Sequence, residues 1–242
     1  MLAPHPDDET LGCGGTILLH RQAGGVVRVL IVTDGRASRA GGLGPDEMAR
    51  RREGEARHAM ASLGVELVWL GLPEAGWSEA ALREPLAAEL AFARLIYAPS
   101  PIDYHPEHVR VARALAELVV SQPVRVYELG VPLGPSLTNL VAETTAEEPR
   151  RQAALAAYAS QLEGNAKLDR LRRYAGCYWF WGGLAEPFWE LSPAAYRAVV
   201  AAADWSSASP FRGLRGRAFG DPLSYLAGWL ARRHLAAAAS GH

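Results

Sequence analysis

The 242-residue chain carries 25 Lys and Arg against 26 Asp and Glu, a formal net charge of −1, and is 49% hydrophobic. That length and apolar content suit one α/β domain with an extension, or at most two small domains. The near-neutral charge excludes a general electrostatic case for nucleic acid or an anionic membrane as partner. No apolar run approaches the length of a membrane span, and the start lacks a basic segment followed by an apolar stretch. Two cysteines, Cys13 and Cys177, make no disulfide framework, so a cytoplasmic location is expected.

Strand and helix patterns alternate over the first two-thirds. A first strand at Met1–Ala3 stops at Pro4, short of the roughly five or six residues usual for a central strand. Val26–Thr33 is nearly continuous and β-branched, as in a strand buried on both faces. Pro45–Leu63 reads as a helix stopped by Gly64, Val65–Leu70 as a strand and Glu79–Phe92 as a helix. A short strand at Leu95–Ala98 precedes a Pro99-Ser100-Pro101 loop, followed by a helix over Pro106–Val120. Strands at Val124–Leu129 and Asn139–Glu143 come next, then an Ala-rich helix over Glu147–Leu162. The alternation predicts a Rossmann-like, three-layer α/β fold with a mainly parallel sheet over residues 1–190, and a helical C-terminal extension over residues 191–242.

Two segments concentrate metal-type ligands. Pro4-His5-Pro6-Asp7-Asp8-Glu9 follows the first strand, and Asp103-Tyr104-His105-Pro106-Glu107-His108 follows the strand at Leu95–Ala98. Imidazole mixed with carboxylate suits a zinc-like divalent ion that keeps a position open for water. Both segments sit where a strand ends and a helix begins, the edge at which open α/β sheets bind ligands. The pattern therefore predicts a metal-dependent hydrolase. The alternative for His5–Asp8, a turn that merely caps the following helix, needs one carboxylate rather than a cluster.

These motifs, with Leu11-Gly12-Cys13-Gly14-Gly15, Thr33-Asp34-Gly35, Arg52-x-x-Glu55, Tyr127-Glu128, Tyr158-x-Ser160-Gln161 and Ala185-Glu186-Pro187-Phe188, resemble the PIG-L/LmbE-like family of zinc-dependent N-acetylglucosamine deacetylases. The likeness spans about residues 3–190, in family order. It implies that His5, Asp8 and His108 hold the metal, Zn2+ or another divalent ion such as Fe2+. It implies that Asp7 is the general base for the attacking water. His105 matches the histidine facing the reacting carbonyl, which as an imidazolium would stabilise the oxyanion or protonate the departing amine. Glu107 stands where the family more usually has aspartate, and is expected to orient His105 and keep it charged. Arg52 either hydrogen-bonds substrate, anchors the site loop, or is a solvated helix arginine. Glu186 is a pocket carboxylate by family position. Asp103 is either an outer partner of the site or a loop residue.

Other features take plainer readings. Gly12–Gly15 lets a helix approach the sheet rather than binding phosphate, and Cys13 is a small buried residue. His20, His58, His234 and His242 have no partner ligands in the pattern. Tyr178–Trp181 with Phe188-Trp189 is read as core more than as a sugar platform. Asp221–Leu235 reads as a helix with Leu223, Leu226 and Leu230 on one side, preceded by Arg212, Arg215 and Arg217. It is expected to pack on its own domain and to be dispensable for the chemistry, with self-association into a homo-oligomer left open. The implied reaction is hydrolysis of an N-acetyl or N-acyl group on a small-molecule amino sugar of N-acetylglucosamine type, or its glycoside. The alternatives are an amidase acting on a thiol conjugate or glycopeptide, and a non-catalytic carbohydrate-binding protein on the same scaffold.

Overall fold

The computed structural model describes residues 1–118, 121–203 and 229–240. Its elements are β1 (Leu2–Ala3), α1 (Asp8–Gln22), β2 (Arg28–Thr33), α2 (Pro45–Leu63), β3 (Glu66–Leu72), α3 (Glu79–Leu90), β4 (Ile96–Pro99) and α4 (Pro106–Glu117). They continue with β5 (Val124–Tyr127), β6 (Leu140–Glu143), α5 (Glu148–Leu155), α6 (Leu162–Phe180), β7 (Ala185–Leu191), α7 (Pro193–Ala202) and α8 (Trp229–Ser240).

Hydrogen bonding defines two sheets. β1, β2 and β3 run parallel in that order, with Leu2 opposite Leu30 and Leu30 opposite Val68. The second sheet is β4-β5-β7-β6, with β4 and β5 parallel and β7 antiparallel to both its neighbours. Because β4 stands beside β1, the strands continue as one layer in the order β3-β2-β1-β4-β5-β7-β6. Pairing is thus parallel within β1-β2-β3 and between β4 and β5, and antiparallel where β7 joins β5 and β6.

β2 shows why three layers form. Val29 and Ile31 enter one core with Leu18 of α1, Met60 of α2 and Leu155 of α5. Leu30 and Val32 enter the opposite core with Leu86 of α3, Leu115 of α4, Val199 of α7 and Leu235 of α8. A strand whose two faces are both covered must be apolar at successive positions, as its sequence is.

β1 has two residues, since the Pro4 nitrogen has no hydrogen for a ladder. Other donors hold it. Leu30 N–H bonds Met1 O at 2.9 Å, Thr33 N–H bonds Pro4 O at 3.0 Å, and Tyr127 Oη–H bonds Leu2 O at 2.9 Å.

The Ala-rich stretch departs from the expected single helix. α5 ends at Leu155, a 3-10 turn occupies Ala159–Gln161, and α6 starts afresh at Leu162. Helix propensity is outweighed by tertiary bonds: Tyr158 turns inward so that its hydroxyl reaches Glu9 at 2.6 Å, and Ser160 binds Glu55. In the aromatic run, Phe188 and Trp189 are buried as expected, but Tyr178, Phe180 and Trp181 are exposed because α6 ends there at the surface. α4 ends at Glu117 and α8 begins at Trp229; Val120, Arg212, Arg215, Arg217, Leu223 and Leu226 lie outside the described residues.

The glycines of α1 do permit close packing. A Cβ on Gly12 would lie 2.5 Å from Tyr127 Cδ2, and one on Gly15 would lie 2.5 Å from Thr144 Cβ. Gly12→Ala should therefore lower stability by about 1–3 kcal/mol through overpacking. A urea unfolding curve reads this directly, and an unchanged midpoint would contradict the close approach of α1 to β5.

Candidate active site

The first motif leaves β1 at Pro4, whose carbonyl accepts both the N–H and the hydroxyl of Thr33, the latter at 2.8 Å. Asp7 then adopts φ 117°, a left-handed backbone that costs a non-glycine residue about 1–3 kcal/mol. That turn points two adjacent aspartates at different partners. Asp7 Oδ2 lies 3.1 Å from Arg52 Nη2, while Asp8 Oδ2 lies 3.2 Å from His5 Nδ1 and 3.1 Å from His108 Nε2. Asp7 makes no side-chain cap to α1, so helix capping does not account for the cluster. Glu9 anchors the turn from beneath, accepting from Asp7 N–H, Thr10 Oγ1–H and Tyr158 Oη–H.

His108 arrives on the first turn of α4, and its Nε2 is 3.3 Å from His5 Nδ1. Three ligand atoms thus form a triangle with edges of 3.2, 3.1 and 3.3 Å. A tetrahedral site with bonds of about 2.0–2.1 Å has edges of about 3.3–3.4 Å. The residues present therefore fit a divalent transition-metal ion, with two imidazoles and one carboxylate as donors. Burial opposes charge on Asp8, yet His108 and His5 hold its carboxyl well below the usual carboxylate range. Burial likewise opposes charge on His108, but Asp8 and Asp103 hold its pKa well above the ordinary value. In the metal-free protein these shifts pair an anionic Asp8 with a protonated His108.

Each of the two imidazoles also faces a carboxylate on its other nitrogen. His5 Nε2 is 3.3 Å from Glu74 Oε1, and His108 Nδ1 is 3.2 Å from Asp103 Oδ2. Such outer carboxylates fix the orientation of ligand histidines and raise their basicity. Asp103 is itself pinned, accepting the N–H of His105 and of Gly130, both at 3.0 Å. Of its two alternatives, Asp103 takes the outer-partner position. Burial would raise the Glu74 pKa, but His5 and the Ala37 N–H hold it down at about 2.

Asp7 is different. Burial pushes its carboxyl up to about 7 against the pull of Arg52, with Asp8 and Glu9 adding to the rise. A cation in the adjacent triangle would draw that value back down. Arg52, 4% exposed, donates to Pro6 O as well as facing Asp7, so it anchors the motif rather than lying solvated.

His105 and Glu107 correct the sequence reading. His105 caps α4, its Nδ1 accepting the Glu107 backbone N–H at 3.3 Å, which leaves the proton on Nε2. Burial, then the neighbouring His5 and His108, lower its pKa to about 3, so the ring is neutral rather than an imidazolium. Its ring stands edge-on to His5 with centroids 4.5 Å apart, and its ligand atom lies within 4.8 Å of those of His5 and His108. The Glu107 carboxylate does not reach His105. It accepts from Trp77 Nε1 and from Arg110 Nη1, and Arg110 stacks 4.0 Å over the Trp77 ring. The first turn of α4 aims position 107 toward Trp77 ahead of α3, whereas position 108 turns to His5 and Asp8.

Glu186 is also corrected. It is 1% exposed and bonds the N–H groups of Gly15 and Thr16 at 2.8 and 2.7 Å, with Arg172 at 3.2 Å. It ties β7 to α1, and these contacts lie away from His5, Asp8 and His108. Sequence reasoning missed Glu74 as a site component. Glu74 follows the end of β3, so the strand-end rule applied to β2 and β3 as well would have singled it out.

The family model described as PIG-L, GlcNAc-PI de-N-acetylase, matches residues 1–119. A 1D-myo-inositol 2-acetamido-2-deoxy-alpha-D-glucopyranoside deacetylase from Kineococcus radiotolerans is 29% identical over 59% of this chain, and the match covers 55% of that relative. The chain thus spans about half the length of that curated relative. The conserved protein TT1542 of Thermus thermophilus superposes with a TM-score of 0.65 at 30% identity, covering 79% of this chain and 93% of that one. Two more distant structures share the fold. The N,N'-diacetylchitobiose deacetylase of Pyrococcus horikoshii has a TM-score of 0.68 at 20% identity, with 81% and 84% coverage. The 4-carboxy-2-hydroxymuconate hydratase GalB of Pseudomonas putida has a TM-score of 0.65 at 18% identity, with 78% and 93% coverage. With its motifs on the strand ends of this fold, the chain carries a PIG-L (LmbE-like) domain over residues 1–119.

Proposed function

We propose that this protein is a zinc-dependent hydrolase that removes an N-acetyl group from an N-acetylglucosamine-type amino sugar or its glycoside. The triangle of His5 Nδ1, Asp8 Oδ2 and His108 Nε2, with Asp7 beside it, carries the reading. The family and the Kineococcus relative point to the amino-sugar amide as substrate. GalB, a hydratase, has the same fold, so the fold alone does not select the reaction. Among the described residues no helix is long and apolar enough to cross a membrane, and the free thiols of Cys13 and Cys177 suit a reducing cytoplasm.

His5, Asp8 and His108 hold the ion, while Glu74 and Asp103 keep both imidazoles aimed. When bound, the metal supplies Lewis-acid polarisation of the acyl carbonyl and of the attacking water. Asp7, held by Arg52, takes the proton from that water as the carbonyl carbon is attacked. His105 presents its Nε2–H to the developing oxyanion as a neutral donor. A neutral imidazole with one hydrogen gives a hydrogen bond rather than an acid proton, so the proton reaching the departing amine returns from Asp7. Arg52 binds no substrate in this scheme, and Glu107 and Glu186 support α4 and α1 rather than the reacting atoms.

His108→Ala should lose bound metal and amine release together, measured by metal analysis and by an assay on N-acetylglucosaminides. Asp7→Asn should keep the metal while turnover falls by about two to four orders of magnitude, the usual worth of general acid–base catalysis. Near-full activity in Asp7→Asn would remove Asp7 from the chemistry.

The neutrality of His105 has its own check. With a pKa of about 3, the ring stays uncharged as pH falls through the window in which an ordinary histidine, near about 6.5, gains its proton. In metal-free protein, its imidazole NMR resonances should hold the neutral-form shift from pH 7 to about pH 4. Because the folded state resists a proton that the unfolded chain accepts, this residue also draws stability down as pH drops below about 6.5. A titration midpoint near the ordinary value would contradict the lowered pKa of His105.

A further inference from the structure

We propose that Arg232, on α8, is a positioning residue for the metal centre, acting through the loop after β5 and through Asp103. The proposal rests on the metal-site reading above. It also reverses the expectation that the C-terminal segment is dispensable for the chemistry.

Arg232 is 4% exposed, and its Nη1 donates to Pro132 O at 3.0 Å. Its guanidinium lies over Gly134, where a Cβ would come within 3.2 Å of Arg232 Nε and where φ is +63°. Only a residue without a side chain meets both the backbone turn and that close cover. The Arg232 charge also acts on Glu128, a buried carboxylate that accepts the Leu133 N–H at 2.7 Å. Glu128, Pro132, Leu133 and Gly134 are thereby gathered around one guanidinium. A rigid five-donor fork in a buried place holds irregular backbone more firmly than loop contacts alone.

The same loop reaches the metal site on its other side. Gly130 N–H donates to Asp103 Oδ2, the oxygen that lies 3.2 Å from His108 Nδ1. Gly130 has no room to vary. A Cβ there would come 1.9 Å from the Tyr104 ring and 3.0 Å from Asp103 Oδ1. If the loop shifts, the Gly130 N–H leaves Asp103, and the carboxylate is free to rotate away from the imidazole it orients. The contacts of Arg232 with Pro132 and Gly134 lie in the loop rather than at His5, Asp8 or His108, so its effect on the site passes along this route. Leu235, one turn further on α8, is buried in the core shared with α3, α4 and α7, which fixes the helix that carries the guanidinium.

The test is metal affinity of the full chain, measured by competition with a chromophoric chelator, with unfolding midpoints alongside. Arg232→Met should weaken zinc binding about tenfold, the lower end of what losing an outer partner costs. Arg232→Lys, which keeps the charge and a donor for Pro132 O, should recover to within about threefold of the parent chain. In an Asp103→Ala background, Arg232→Met should change the affinity no further. A purely structural role predicts the opposite pattern: a lower unfolding midpoint in both backgrounds with unaltered zinc affinity. Equal affinity in Arg232→Met and parent, or the same loss with and without Asp103, overturns the proposal. Should Arg232→Met fail to fold, Glu128→Gln takes its place with the same expectation in both backgrounds. A parent chain that binds no zinc, or a His108→Ala variant that binds it as tightly, overturns the underlying metal-site reading and this proposal with it.

Discussion

Two imidazole nitrogens and a carboxylate oxygen, buried and held 3.1–3.3 Å apart, are the constraint that the surrounding structure serves. Bringing Asp8, His5 and His108 together out of water opposes the charged forms of all three. Each imidazole is faced from behind by a carboxylate, His5 by Glu74 and His108 by Asp103, while Glu9, backed by Tyr158, and Arg52 hold the Asp7-Asp8 turn. The left-handed Asp7 backbone belongs to the same arrangement. Strain there separates two neighbouring carboxylates into different tasks, and the fold around it is rigid enough to sustain the cost.

The sheet makes this meeting possible. The strand order β3-β2-β1-β4-β5 reverses direction between β1 and β4, and the two motifs leave those two strands. A crevice opens at such a switch point because the connections depart to opposite faces of the sheet. Here α1 descends into one core and α4 into the other, so His5 and Asp8 approach His108 from opposite sides. The brevity of β1 is offset by bonds from Leu30, Thr33 and Tyr127, which fix the chain just ahead of His5.

Much of this was legible in the sequence, for definable reasons. The continuous apolar run of β2 demands cover on both faces, and the cap and stop residues of α2 mark its ends at Pro45 and Leu63. The ligand-rich motifs mark the two segments that meet at the candidate site through residue type alone. What stayed hidden depends on contacts between distant segments. The break between α5 and α6 follows from Tyr158 and Ser160 reaching Glu9 and Glu55, which local helix propensity does not register. Glu107 looked like a partner for His105 because it is near in sequence, but a helical turn sends its carboxylate to Trp77. The charge on His105 was misread for a similar reason, since burial and two neighbouring imidazoles set it. Glu186 illustrates the limit of family position: a carboxylate near the site by order in the chain turns out to hold α1 against β7.

The central claim concerns which atoms hold the ion. A crystal structure of zinc-loaded protein, with anomalous difference maps recorded on either side of the zinc edge, tests it most directly. The account predicts one peak bonded at about 2.0–2.2 Å to His5 Nδ1, Asp8 Oδ2 and His108 Nε2, with Asp7 and His105 unbonded beside it. A peak held by His105 in place of Asp8, or one lying away from this triangle, would contradict it.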